Sequence, residues 1–167
     1  RLKQKDKKLT ISDSRYADNI AGDLLNPVFT SMIARDIFAP VQKFKVGEFK
    51  YVKDRGYAFE KKLADNTGGL LDKQLKDLAI DEHNATVPMI IFNSVIKSDG
   101  RKMMIGTQPI SFLMKPAFLS GDRNANPDAV DFAALFKWQQ PMNIRMLTAL
   151  RMNATFPYVL PNVWLPS

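Results

Sequence analysis

Val87-Pro88-Met89-Ile90-Ile91-Phe92-Asn93-Ser94-Val95-Ile96 is the stretch that most limits what this chain can become. An apolar run this dense suits a strand covered on both faces. Ser98-Asp99-Gly100 follows, and Asp-Gly tolerates the positive φ angles of a tight hairpin, so Arg101–Gly106 is predicted to return as a second strand. A sheet has to form, and the flanking segments have to cover it. With 167 residues, 46% of them hydrophobic, a single domain can build a real core.

The flanks supply helices first. Between Ser14 and Phe38 the apolar residues Ile20, Leu24, Leu25, Val28, Phe29, Met32, Ile33 and Ile37 fall at spacings that keep one side of a helix apolar. Pro27 interrupts this pattern, which predicts two helices. One ends near Leu25, and the next is capped by Asn26, carries Pro27 at its first position and stops before Pro40. Gln42–Lys53 alternates apolar and charged residues around Gly47, a hairpin polar on one face. A short helix is expected over Gly56–Ala64, with Asp54 as cap and Asn66-Thr67-Gly68-Gly69 as stop. Leu71, Leu75 and Leu78 mark another, followed by a polar loop at Asp81-Glu82-His83-Asn84.

Beyond the central hairpin, Ile110–Met114 is predicted as one more strand, Lys115–Asp128 as loop and Val130–Phe136 as a short helix. Asn143 is expected to cap a last helix ending near Asn153, and an extended apolar run closes the chain over Thr155–Leu165. The fold class expected is mixed α/β: several short helices packed on a small, partial sheet that includes a β-hairpin.

Charge is unevenly distributed. Of the net +7, residues 1–8 contribute +4 (five basic residues against Asp6), and the rest of the chain carries +3. Residues 1–13 read as a flexible basic tail or linker, a solvated end by its composition, with attraction to anionic headgroups as its functional reading. The tail has no interleaved aromatics and no nucleic-acid motif follows it, so no nucleic-acid partner is expected. No apolar run approaches the roughly 20 residues of a membrane-spanning helix. The absence of cysteine removes disulfides and thiolate metal sites.

No catalytic constellation is legible within these residues. Ser12, Ser14, Ser94 and Ser120 all lack the G-x-S-x-G context that a nucleophile elbow demands. His83 sits among polar neighbours without an H-E-x-x-H, so neither metal nor cofactor is expected. The carboxylate pairs Asp81 with Glu82 and Asp128 with Asp131 lie in or beside loops with nothing to pair them. Asn66-Thr67-Gly68-Gly69 lacks the lysine of a phosphate loop.

One segment carries a family resemblance. Ala149-Leu150-Arg151-Met152-Asn153-Ala154-Thr155-Phe156-Pro157-Tyr158-Val159-Leu160-Pro161 resembles the stretch of patatin-like phospholipases written roughly A-R-A-x-S-A-A-P-x-Y-F-P-P. Arg151 falls on the family arginine, Asn153 near the serine, Ala154 on the alanine and Pro157 near the proline. Tyr158 and Pro161 fit the aromatic and the closing proline. Asn153, Thr155 and Phe156 are bulkier than the residues usual there, which marks a divergent branch. Asp23-Leu24-Leu25-Asn26-Pro27, Val41-Gln42-Lys43-Phe44, Lys53-Asp54-Arg55-Gly56-Tyr57, Asn66-Thr67-Gly68-Gly69 and Asp131-Phe132 are similar to segments of large bacterial patatin-like proteins.

The resemblance implies that residues 14–167 are the central part of a three-layer patatin-like catalytic domain. It implies ester hydrolysis of lipids through an acyl-serine, with a Ser-Asp dyad, an oxyanion loop, no cofactor and a lipid or acyl-ester substrate at a membrane surface. By this alignment the serine precedes Arg1 and the aspartate follows Ser167. Arg151, Asn153 and Pro157 are then supports of the active site, and no residue of this chain is catalytic. The alternative is a non-catalytic binding or scaffold module with a membrane-seeking tail.

Overall fold

A computed structural model describes residues 18, 22–40, 42–46, 49–114, 128–155 and 158–165. The architecture is mixed α/β, with five α-helices and two small sheets among the described residues. The chain divides into two compact units, one spanning Lys73–Ala149 and the other Asp6–Asp72 with Leu150–Ser167. Among the described residues no helix is long and apolar enough to cross a membrane.

In the second of these units, helix α1 spans Leu25–Ser31 and continues into a π-helical turn, Met32–Ile37. Pro27 lies in the first turn, where its missing N–H takes nothing from the helix. Asp23, not Asn26, satisfies the helix start: its Oδ1 accepts from the Leu25 and Asn26 N–H groups at 3.0 Å each. The expected helix ending near Leu25 falls mostly outside the described residues. The apolar side is only partly used. Val28 is buried, whereas Leu25, Phe29, Ile33 and Ile37 all stay exposed. A helix of two turns meets helix α2 along one line, and the apolar positions are spread wider than that line.

The hairpin forms as predicted, with β1 at Lys43–Val46 paired antiparallel to β2 at Phe49–Val52. Phe44 stacks on Tyr51 across it and meets the Tyr57 ring, centroids 5.1 Å apart, which docks the hairpin on α2. Helix α2 spans Arg55–Asn66, and Asp54 caps it by accepting from the Tyr57 N–H at 2.9 Å. Gly68 and Gly69 both take positive φ and stop it, with the Gly69 N–H returning to the Ala64 carbonyl at 2.8 Å.

In the other unit, helix α3 spans Leu75–His83. It starts later than the leucine spacing implied, leaving Leu71 in a turn, and runs through the polar stretch predicted as loop. Asp77 reaches back to the Gln74 N–H at 2.9 Å and fixes this start. Exposed residues such as Asp81 and His83 suit a last helical turn as well as a loop, so polarity alone misplaced its end.

The second sheet has the order β3-β4-β5: Phe92–Val95, Lys102–Ile105 and Ala129–Asp131, with β4 central. Strand β3 pairs antiparallel to β4, and β5 joins parallel to it. The strand expected across Val87–Ile96 is much shorter and is not covered on both faces. Val95 is 64% exposed and Met89 51%, whereas Phe92 is buried. Pro88 accounts for part of this, since it removes a ladder donor. The turn forms with Gly100 at φ +76° and with both the N–H and Nε of Arg101 donating to the Asp99 carboxylate.

Two further expectations are corrected. Ile110–Met114 is not a strand: Ser111–Leu113 forms a 3-10 turn after a fully buried Ile110. Val130–Phe136 opens as β5, and only Phe132–Leu135 is helical, as α4. Residues 115–127 of the predicted loop lie outside the described residues.

The last helix, α5, spans Met146–Asn153, and Asn143 does not cap it. Asn143 belongs to a 3-10 turn at Pro141–Asn143, where its Oδ1 accepts from Lys76 at 3.0 Å. The chain between that turn and α5 bridges instead to the start of α3. The Leu75 N–H meets the Ile144 carbonyl at 3.0 Å, and the Met146 N–H meets the Lys73 carbonyl at 2.8 Å. Leu75, Ile105, Ile110, Phe132 and Leu147 make the core of this unit.

Candidate functional site

The residue the family resemblance singles out, Arg151, is 7% exposed. A guanidinium this deeply placed has to be paired, because an isolated buried charge is prohibitively expensive. Its carboxylate partners are Glu60 of α2 and Asp54, the residue that caps it. Nη2 lies 3.4 Å from Asp54 Oδ2 and donates to the Pro161 carbonyl at 3.0 Å, while Nη1 lies 3.5 Å from Glu60 Oε1. Glu60 is itself buried, at 4% exposure. Gly56, Glu60 and Leu63 form the buried side of α2 at helical spacing, so one carboxylate stands where the pattern asks for an apolar residue. A charge on an otherwise buried stripe is the sequence signal for such a pair.

Asp54 has two duties, since Oδ1 caps α2 while Oδ2 faces Arg151. Arg55 works alongside: Nε pairs with Asp36 at 2.7 Å, and Nη1 donates to the Tyr158 carbonyl at 2.9 Å. Two guanidinium groups therefore hold the backbone of the closing run at Tyr158 and Pro161. Between these two points Leu160 is buried, whereas Tyr158 and Trp164 are exposed. Tyr158 takes φ +67°, a left-handed conformation rare for a non-glycine residue, beside the carbonyl that Arg55 holds.

Asn153 is the exposed last residue of α5, and Pro157 lies outside the described residues. Chemically the cluster is a scaffold. Its one fully enclosed cation faces two carboxylates and a carbonyl, an arrangement that fixes positions and offers no nucleophile.

A second buried carboxylate lies in the other unit. Asp131, expected beside a loop with no partner, is 4% exposed. It accepts from the Ala133 N–H at 2.9 Å, the Ile110 N–H at 3.2 Å and the Ser111 hydroxyl at 2.8 Å. The last contact brings a serine to an aspartate. The carboxylate is nonetheless occupied, because it caps α4 through one oxygen and ties the turn after β4 through the other. Ser111 sits on a 3-10 turn instead of a strand-to-helix elbow. The arrangement staples β5 to the Ile110 turn.

No family model, no curated protein and no solved structure matches this chain. Among the described residues, no group of three or more His, Asp or Glu residues converges as a metal site would require. His83 ends α3 in an exposed position.

Proposed function

We propose that this chain is part of the catalytic domain of a patatin-like serine acyl hydrolase acting on phospholipid or other acyl esters. One observation carries the reading. Arg151, at the place of the family arginine, is buried and holds the Pro161 carbonyl, which stands at the closing proline of the same motif. The two ends of the resembling segment are thus joined by a direct hydrogen bond, as expected of residues that support a site together.

No G-x-S-x-G occurs within residues 1–167, so the nucleophile on this reading comes from elsewhere in the protein. Its hydroxyl attacks the ester carbonyl as its proton passes to an aspartate. The tetrahedral oxyanion collapses to expel the alcohol, which takes that proton, and water then releases the acid from the acyl-serine. Arg151, Asp54 and Glu60 take no part in these transfers. They hold the backbone that leads away from α5.

The test uses the complete reading frame that contains this segment, treated with a fluorophosphonate ester that acylates activated serines. Labelling of one serine outside residues 1–167, together with hydrolysis of phospholipid or p-nitrophenyl esters, is the expected result. Absence of both, or labelling of a serine within residues 1–167, overturns the proposal.

A further inference from the structure

The unit that holds Arg151 carries a second cluster of charge, which the scaffold does not use. Along one side of α2, Tyr57, Lys61, Lys62 and Asp65 open onto a cleft of about 260 Å3, and Arg35 and Lys53 complete its walls. Four cations therefore face one carboxylate. The excess of +3 equals the net charge of everything after the first eight residues, so the clustering is not a by-product of a basic composition. Among the described residues, no carboxylate lies within ion-pair distance of Lys53, Lys61 or Lys62. Arg35 gives one N–H to the Lys53 carbonyl at 3.4 Å. The Asp23 carboxylate acts on Lys62 only as a neighbouring charge.

Like charges gathered in excess of their counter-charges repel, and a cleft lined mainly by one sign of charge concentrates ions of the other. The size of the cleft limits what that anion can be. At about 260 Å3 it falls below the roughly 300–1,000 Å3 of sites for drug-sized ligands. Its chemistry limits it further. Lysines act on phosphate as point charges, and a phosphate monoester, at about −1.5 to −2, offsets at least half of the local excess. Tyr57 adds a phenol that can donate to a phosphate oxygen.

We propose that this cleft binds a phosphate monoester group, presented by a soluble ester or by an anionic lipid headgroup. The proposal rests on the cleft alone and does not depend on the acyl-hydrolase reading.

The experiment titrates the complete 167-residue chain with glycerol 3-phosphate while amide shifts are followed. In parallel, the chain is sedimented with phosphatidylcholine vesicles with and without phosphatidic acid. Saturable shifts confined to Arg35, Lys53 and residues 57–65, or sedimentation that requires both phosphatidic acid and the Lys61 and Lys62 side chains, is the expected result. The two arms assign the phosphate to a soluble ester or to a headgroup respectively. Either signal should weaken about tenfold in a Lys61→Ala/Lys62→Ala variant. Both substitutions keep or raise helix propensity, so an unchanged circular dichroism spectrum verifies the fold. Lys137→Ala, in the other unit, should leave binding unchanged. Silence in both arms overturns the proposal, as does an equal loss on Lys137→Ala.

Discussion

The guanidinium of Arg151 lies so close over the backbone of Gly56 that a Cβ on Gly56 would stand 1.8 Å from its Cζ. Position 56 is therefore glycine because a side chain from the far end of the sequence occupies the space. The substitution Gly56→Ala tests this by its sign. In an ordinary helix the change stabilises by about 1 kcal/mol. Here it has to displace the guanidinium from Glu60 and Asp54, and overpacking of that kind costs about 1–3 kcal/mol. Urea denaturation should find the variant less stable than the parent.

Arg151 can also be removed directly. Arg151→Met keeps much of the volume but leaves the Asp54 and Glu60 carboxylates without their shared cation, and breaking a buried pair in this way costs about 3–5 kcal/mol. The pair distances of 3.4 and 3.5 Å place the expectation at the lower end of that range. Adding Glu60→Gln should recover part of the loss, a coupling that a double-mutant cycle in chemical denaturation measures.

Asp131 and Ser111 separate a structural staple from a reactive pair. Asp131→Ala leaves the Ile110 and Ala133 N–H groups without their acceptor and should cost about 2–4 kcal/mol. Ser111→Ala removes a single donor and should cost about 1 kcal/mol. In the complete protein, acyl-ester hydrolysis should be unchanged by Ser111→Ala; loss of turnover at unchanged stability would instead make Ser111 the nucleophile.

Asp99 and Asp23, both exposed, contribute to the acid limb of the stability curve. Asp99 is held below the ordinary aspartate range, first by the Arg101 side-chain hydrogen bond and then by the Arg101 N–H. Asp23 is lowered chiefly by the Asn26 N–H. A depressed folded-state value means that folding favours the ionised form. Each contribution is therefore complete above about pH 4 and is lost as the pH falls through the folded-state value. Carboxyl NMR titration should place both midpoints below those of the same residues in unfolded chain. Asp99→Asn should flatten the acid limb of the stability curve.

The chain as it stands should not hydrolyse p-nitrophenyl esters, since no serine within it has an elbow context. Turnover that persists through purification and is blocked by a fluorophosphonate contradicts the alignment behind the proposed function.

Local chemistry was legible where it was self-contained. Asp54 as a cap, the glycine stop after Asn66, the hairpin within Gln42–Lys53 and the turn at Asp99-Gly100 each depend on residues within a few positions, and all four are found. Elements whose form depends on distant partners were misread. Ile110 is apolar because it is core, not because it belongs to a strand. Ala129–Asp131 extends because β4 offers it an edge some two dozen residues earlier in sequence. The apolar run Val87–Ile96 is strand only over Phe92–Val95, where it pairs with β4.

By itself the sequence determined the mixed α/β class, the Asp54 cap and the glycine turns. Tertiary structure alone decided what Arg151 touches. Its carboxylates lie 91 and 97 positions away, beyond the reach of any spacing rule. The same holds for the basic cleft, where Arg35 and Lys53 meet Lys61 and Lys62 because α1 packs against α2 and Arg35 reaches the Lys53 carbonyl. Hydrophobic periodicity reports which face of an element is buried, but charges pair through space, and only the packed chain sets those distances.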